Sequence, residues 1–344
     1  TAYRVVVMTQ STRRLLTSLA AAAVLAFGVS AQASELSDIT DNLTIGTWEA
    51  MPPNASRNSL GLSNAHFYWA NSAVWDPANN RMIWVGGPGS CCAPTPTYVM
   101  VRYNENSDTW QANDTPYTTS GHAYDGNAFG NNKFYFALYN QQSVKVWNGS
   151  SWSTLPNAPW GPSVANGLTY FPEANGLVFV AGDGKIAIYR DSSGWEDIPG
   201  SGWGDYHVFA EYNPVHGVVW FGSGNNDNLK SFRLNADLSV TQMQNAPFSL
   251  GTRDAIQVVD PASGKYLVLN RKNNTWWEFD IIANQWSQIN NMSNKPGIGQ
   301  SIFAVSLPEH NAIMLYNHEG SNAFLYRHGD AEEIIQSNPP GNLQ

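Results

Sequence analysis

Downstream of position 33, apolar residues fall in short runs of Val, Ile, Leu, Phe and Trp separated by clusters of Asn, Asp, Ser, Gly and Pro, the pattern of strands joined by tight turns. One unit recurs: a β-rich run, a turn usually opened by Pro, and a second apolar run. It is present as Val74-Trp75-Asp76-Pro77 followed by residues 81–87, Tyr170-Phe171-Pro172 by 176–182, Tyr212-Asn213-Pro214 by 218–222, Val259-Asp260-Pro261 by 266–269, and Ser306-Leu307-Pro308 by 312–316. A copy without Pro places Gly130-Asn131-Asn132 ahead of 133–136. Six copies of one unit predict six blades stacked on one another.

Each hairpin is followed by a second, in which an aromatic residue precedes a Trp: Tyr103 and Trp110, Trp147 and Trp152, Tyr189 and Trp195, Phe279 and Trp286. The expected architecture is therefore all-β, a six-bladed β-propeller of four-stranded antiparallel blades. The sixth copy ends after Phe324-Leu325-Tyr326 with no Trp, while Thr47-Trp48-Glu49-Ala50-Met51 looks like a fourth strand lacking the first three. The N-terminal strand is thus expected to close the last blade and to remove an exposed sheet edge. Trp48, Trp110, Trp152, Trp195 and Trp286 recur at one blade position, which assigns them to packing between blades rather than to a ligand.

The succession Gly86-Gly87, Tyr103, Trp110 and its counterparts resembles the kelch repeat over nearly the whole chain after position 33. The resemblance implies a propeller of the wider galactose oxidase and kelch superfamily.

Composition agrees with a turn-rich β-protein: only 13% of residues are charged, and Trp, Tyr, Asn and Gly are abundant. From position 34 onward, 15 basic residues stand against 27 acidic ones, a formal charge of −12 that argues against a nucleic-acid partner. Arg13-Arg14, the apolar stretch 15–29 and Ala31-Gln32-Ala33 read as a signal peptide, and Thr12-Arg13-Arg14-Leu15-Leu16 partly resembles a twin-arginine signal. The expected organisation is upstream residues and signal peptide over 1–33, one propeller over 34–330 and a tail over 331–344, exported to the periplasm or medium of a bacterium. No membrane span and a monomer are expected.

In an up-and-down blade, the loops joining strands two and three emerge on the same face as the links between blades, so that face is where a site is expected. Links and inner-strand starts there carry His66, His122, Tyr124, Trp160, Trp203, Asp205, Tyr206, His207, Arg253 and Asp254, and the loops add Cys91, Cys92, Asn225, Arg271 and His318. Four of the seven histidines thus fall on one rim. Each His alone also suits a capping or backbone-bonding role. Trp160 and Trp203 lie outside the repeat, bracketed by Gly and Pro, and are read either as sugar-stacking platforms or as loop anchors. Cys91-Cys92 is the one cysteine pair in the sequence. Adjacent Cα atoms lie about 3.8 Å apart, so a vicinal disulfide there would be strained and reducible. That bond is favoured over two free thiols or an intermolecular bridge.

These residues point to a carbohydrate or another small polar ligand, and an acidic polysaccharide suits the cationic groups. If the chain cleaves it, β-elimination is the natural chemistry: Arg253 neutralises a uronate carboxylate while His122, His207 or Tyr206 moves the α-proton. His66, Trp160, Trp203, Asp205, Asp254, Arg271 and His318 are assigned to binding. Some propeller-fold polysaccharide lyases work in this way. A protein-interaction ring is the alternative. A copper radical oxidase is the weaker one: Tyr206-His207 is similar to that family's Tyr-His pair, yet that family has a seventh blade and a C-terminal domain absent from this sequence. No cofactor or metal site is expected from spacing.

Overall fold

The computed structural model describes residues 34–329 apart from 88–96, 119–120, 162, 200–204, 226–227 and 298. The expected signal peptide, Cys91-Cys92, Trp203 and the tail lie outside the described residues. Six four-stranded antiparallel sheets form six blades. Their inner strands are Val74–Asp76, Asn127–Gly130, Gly167–Phe171, Phe209–Asn213, Ala255–Val259 and Ile302–Leu307, for blades 1 to 6 in that order. In blades 1 to 5 the four strands follow chain order outward.

Blade 6 takes its outer strand from the N-terminus, as the chain ends imply. Trp48–Ala50 pairs with the strand Asn322–Tyr326 in the register Trp48 with Tyr326, Glu49 with Leu325 and Ala50 with Phe324. The closure is reinforced on both sides of that strand. Before it, a helix over Glu35–Asn42 (α1) is capped by the Ser34 side chain, and Ser34 and Ser37 donate to Glu105 of blade 1. Arg327 of blade 6 donates to the Thr40 carbonyl at 2.7 Å. After it, the short helix Ala55–Asn58 (α2) holds Arg57, whose guanidinium is buried and donates to the carbonyls of Ser321 and Pro52. The repeat pattern does not anticipate these helices, because they belong to no blade.

The aromatic–Trp spacing has a direct cause. Tyr103 and Trp110, Trp147 and Trp152, Tyr189 and Trp195, Phe279 and Trp286, and Tyr326 and Trp48 are all cross-strand partners on the two outer strands of their blades. Blade 4 alone departs, placing Leu234 opposite Val240. Several of these Trp lean on the preceding blade: Trp110 stacks on Tyr316 of blade 6 at 5.1 Å, and Trp286 lies 5.7 Å from Trp220 of blade 4. Trp48 is the most enclosed, stacked on Tyr326 at 4.8 Å and set against Trp276 of blade 5 at 5.2 Å. Among the described residues no helix is long and apolar enough to cross a membrane.

Replacing Trp48 with Ala removes a buried aromatic from the closing seam and is expected to lower the unfolding free energy by about 3–5 kcal/mol. Glu49→Ala, on the exposed side of the same strand, should change it by less than about 0.5 kcal/mol. Urea denaturation followed by Trp fluorescence measures both. Equal effects of the two would show that the seam does not carry the closure.

Candidate functional site

Each inner strand is reached through a link that crosses the rim before the chain turns down into the channel. At four links this turn uses a left-handed residue other than Gly: Trp69 (φ 53°), Tyr124 (φ 51°), Ala165 (φ 56°) and His207 (φ 71°). For an L-residue that conformation costs about 1 kcal/mol or more, and for bulky side chains it is an outlier that the surroundings must hold in place. Hydrogen bonds between blades hold it. Asn71 N–H donates to the Tyr124 carbonyl, Val208 N–H to that of Ala165 and Thr252 N–H to that of His207, at 3.1–3.2 Å.

The same turns bring the rings together above the channel. Trp69 meets His122 edge-on with centroids 4.1 Å apart and lies 5.9 Å from His207. Tyr124 is 5.0 Å from the His207 ring and 5.6 Å from His122. Tyr206 adjoins His207 at 4.2 Å, and its hydroxyl is hydrogen-bonded to that of Tyr124 at 2.8 Å. Three links, from blades 1, 2 and 4, thus build one aromatic and imidazole cluster.

A strand two-to-three loop completes it, confirming that these loops share the rim with the links. Asn225 N–H donates to the Tyr206 carbonyl at 2.9 Å, and the Asn225 side-chain oxygen accepts from His207 Nδ1 at 2.8 Å. Gly224 permits this approach. Its φ is 151°, and a Cβ there would lie 2.5 Å from the Asp205 Cβ. With Nδ1 carrying the proton toward Asn225, Nε2 of a neutral His207 keeps its lone pair.

Both histidines are held neutral. Burial, then the neighbouring His207, lowers the pKa of His122 to about 4 against a hydrogen bond to the Tyr68 backbone; its Nδ1 is buried without a partner. For His207, burial is again the main cause and Arg253 adds to it, opposed by the Asn225 hydrogen bond, giving about 4. Burial and the Tyr206 hydrogen bond push the Tyr124 phenol well above its ordinary value, so it stays protonated.

The other rim residues divide. Arg253 is exposed and near enough to act on His207. Asp254 is half-buried and pairs with Lys272 at 3.3 Å. The Asp205 carboxylate accepts from the Tyr206 N–H at 2.6 Å and shapes the loop beneath it. Arg271 donates to the Asn71 side chain at 2.9 Å, while its Nε and Nη1 are shielded without a protein partner, and burial lowers its pKa to about 10.

Three expectations change. Trp160 is not an exposed platform: it is 7% exposed, packs on Phe179 at 5.7 Å and anchors its link between blades 2 and 3. His318 stacks on Phe67 at 4.2 Å with Nδ1 bonded to the Tyr316 hydroxyl and Nε2 to the Leu62 carbonyl, so neither nitrogen is left for a ligand. His66, within a short 3₁₀ turn, bonds to Ser63 and joins the His318 side of the rim rather than the cluster. Trp69 is the residue that sequence reasoning missed. It lies in no repeat position, and the one signal available was an aromatic pair, Tyr68-Trp69, just ahead of an inner strand. Among the described residues no three His, Cys, Asp or Glu side chains are grouped to hold a metal ion.

The histidines make a pH prediction with a definite sign. Each binds a proton less readily folded than unfolded, so its contribution to stability is complete above about pH 6.5 and is lost as the pH falls toward about 4. Burial raises the Asp125 carboxyl to about 7, which acts in the opposite direction, so the histidines are isolated by difference. The stability of the wild type relative to a His122→Gln/His207→Gln variant should decline between pH 6.5 and 4 in urea titrations. A constant difference over that range would contradict the neutral assignment.

No protein-family model matches the chain, and no curated protein matches it. Solved structures do resemble it. An auxiliary nutrient binding protein from Bacteroides thetaiotaomicron superposes with a TM-score of 0.54 at 12% identity, over 76% of this chain and 69% of that one. A catalytically inactive virginiamycin B lyase from Staphylococcus aureus, with quinupristin, gives 0.50 at 9% identity over 83% and 89%. A chain of a mitotic checkpoint complex gives 0.50 at 11% identity over 81% and 97%. At these identities the likeness is one of fold: it supports a β-propeller and does not confirm the kelch or galactose oxidase family.

Proposed function

We propose that the rim cluster binds an acidic carbohydrate and is arranged to cleave it by β-elimination. The observation that carries this reading is His207: neutral, turned by a strained backbone into a ring of aromatics, and locked by Asn225 into the tautomer that leaves Nε2 free. Fold does not choose among functions, so the site must.

Each group has a role in that chemistry. The half-buried Trp69 supplies an apolar face for a sugar ring beside His122. Arg253 pairs with the uronate carboxylate and stabilises the charge that develops on it. His207 Nε2 accepts the proton from the carbon next to that carboxylate. The electron pair left behind forms the ring double bond and expels the glycosidic oxygen, which takes a proton from Tyr206. Nothing is oxidised and no water is consumed. A pKa near 4 makes the resting imidazole a weak base, but part of that depression comes from Arg253. A bound carboxylate cancels that part and brings the base closer to working pH.

The test uses polygalacturonate, alginate and hyaluronan with the full chain, reading binding by calorimetry and unsaturated product by absorbance near 235 nm. His207→Ala should reduce product formation by about 10²–10⁴-fold. Trp69→Ala should weaken binding roughly tenfold or more while the circular dichroism spectrum is kept. Binding of none of the three polymers would remove the carbohydrate reading. Binding without product would remove the elimination step alone.

A further inference from the structure

The central channel opens on the face opposite the rim as a cavity of about 590 Å³, within the size range of small-molecule sites. Successive inner strands contribute equivalent residues to its wall, so one level can be compared around the ring. Val74, Ala128, Thr169, Val258 and Val305 occupy that level in five blades; blade 4 puts Glu211 there. Nearer the opening, the next residue of each strand is Trp75, Phe129, Tyr170 or Tyr212 in the first four blades. The described lining contains two charged residues, Glu211 and Glu309, and no Lys or Arg.

Glu211 is therefore a carboxyl placed in an otherwise uncharged, largely apolar ring. Its neighbours do not explain it. Among the described residues none is hydrogen-bonded to its carboxyl, whereas Glu173 nearby accepts from the Tyr212 hydroxyl at 3.0 Å. Asp125, further up the channel, is 2% exposed and accepts from the Ala210 N–H at 2.6 Å. Desolvation first, then Asp125, raises the Glu211 pKa well above its ordinary value. Glu211 is half-buried, and a carboxylate in apolar surroundings without a hydrogen-bond partner is disfavoured, so a cation brought to it offsets that penalty.

We propose that this second mouth binds an organic cation with an apolar body, its ammonium group against Glu211 and its hydrocarbon or aromatic part against the Val, Ala and aromatic wall. The apolar wall selects against small hydrated metal ions, which would lose their water shell without enough oxygen ligands to replace it. Aromatic residues at the opening add apolar surface for the hydrocarbon part of such a ligand. The site is independent of the rim chemistry: it uses the other end of the channel and no residue of the His207 cluster.

Three probes of one shape test it by calorimetry on the full chain: 2-phenylethylammonium, 2-phenylethanol and phenylacetate. The ammonium compound should bind at least tenfold more tightly than the alcohol, and phenylacetate should be excluded. Glu211 must lose its proton to pair with the ammonium, so the heat of binding should vary with the ionisation enthalpy of the buffer and report proton release. Glu211→Gln, close in shape, should abolish both the preference for the cation and the proton release while leaving the alcohol's affinity unchanged. Thr169→Phe, which fills the channel at the same level, should eliminate binding of cation and alcohol alike; circular dichroism and urea midpoints confirm that each variant folds. Equal affinity for cation and alcohol, an unchanged preference in Glu211→Gln, binding that survives Thr169→Phe, or no binding of any probe would each overturn the proposal.

Discussion

Trp48, Glu49 and Ala50 pair with Tyr326, Leu325 and Phe324, and those three pairs turn a stack of sheets into a ring. Without them blade 6 would end on a bare edge, with unpaired backbone groups open to other chains. Blade 1 would also lose a continuous neighbour, since Trp110 stacks on Tyr316 of blade 6. The seam unites the first and last described strands, so every other blade is held by contacts on both sides. Around it the N-terminal segment adds polar stitches: Ser34 and Ser37 on Glu105, and Arg57 on Ser321. Backbone pairing sets the register, the stacked Trp48 and Tyr326 supply apolar burial, and the stitches fix the segments before and after the strand.

A closed ring constrains the links. Each must carry the chain from the outer edge of one blade to the axis of the next and turn it sharply downward. Left-handed turns at Trp69, Tyr124 and His207 do so, and hydrogen bonds from neighbouring blades hold two of the three carbonyls. Because these positions lie nearest the axis, the side chains they carry converge. The crowding that puts His122 and His207 among aromatic rings also excludes water and keeps both imidazoles neutral. The neutral imidazoles and the backbone strain on this rim therefore share a geometric origin.

The two ends of the channel differ because they are made from different parts of the strand repeat. The rim is built from links and loops, which vary freely in length and composition, and it gathers imidazole, phenol, amide and guanidinium groups. The opposite mouth is built from the ends of inner strands, where the repeat demands Val, Ala and aromatic residues for packing. At the level of Val74, Ala128, Thr169, Val258 and Val305 one carboxyl, Glu211, stands out. A departure from the repeat is easiest to recognise where the structural rule for its neighbours is strict.

The blade number, the strand closing the ring and the cross-strand role of the repeated Trp were all legible in the sequence, because each rests on periodicity along the chain. A recurring Pro turn between apolar runs specifies a hairpin locally, and a Trp about seven residues after an aromatic is its cross-strand partner by strand geometry. The composition of the rim was legible in part: His122, Tyr206, His207 and Arg253 lie where strand order places the loops. Which of them meet was decided by the tertiary structure. Trp69 joins the cluster and His318 leaves it because backbone turns and contacts between blades direct each ring, and no local pattern records a left-handed φ. Trp160 looked exposed by its Gly and Pro neighbours, yet the groove between blades 2 and 3 buries it. Periodicity governs what repeats within a chain, whereas convergence on a site depends on distances across the ring that only the closed structure defines.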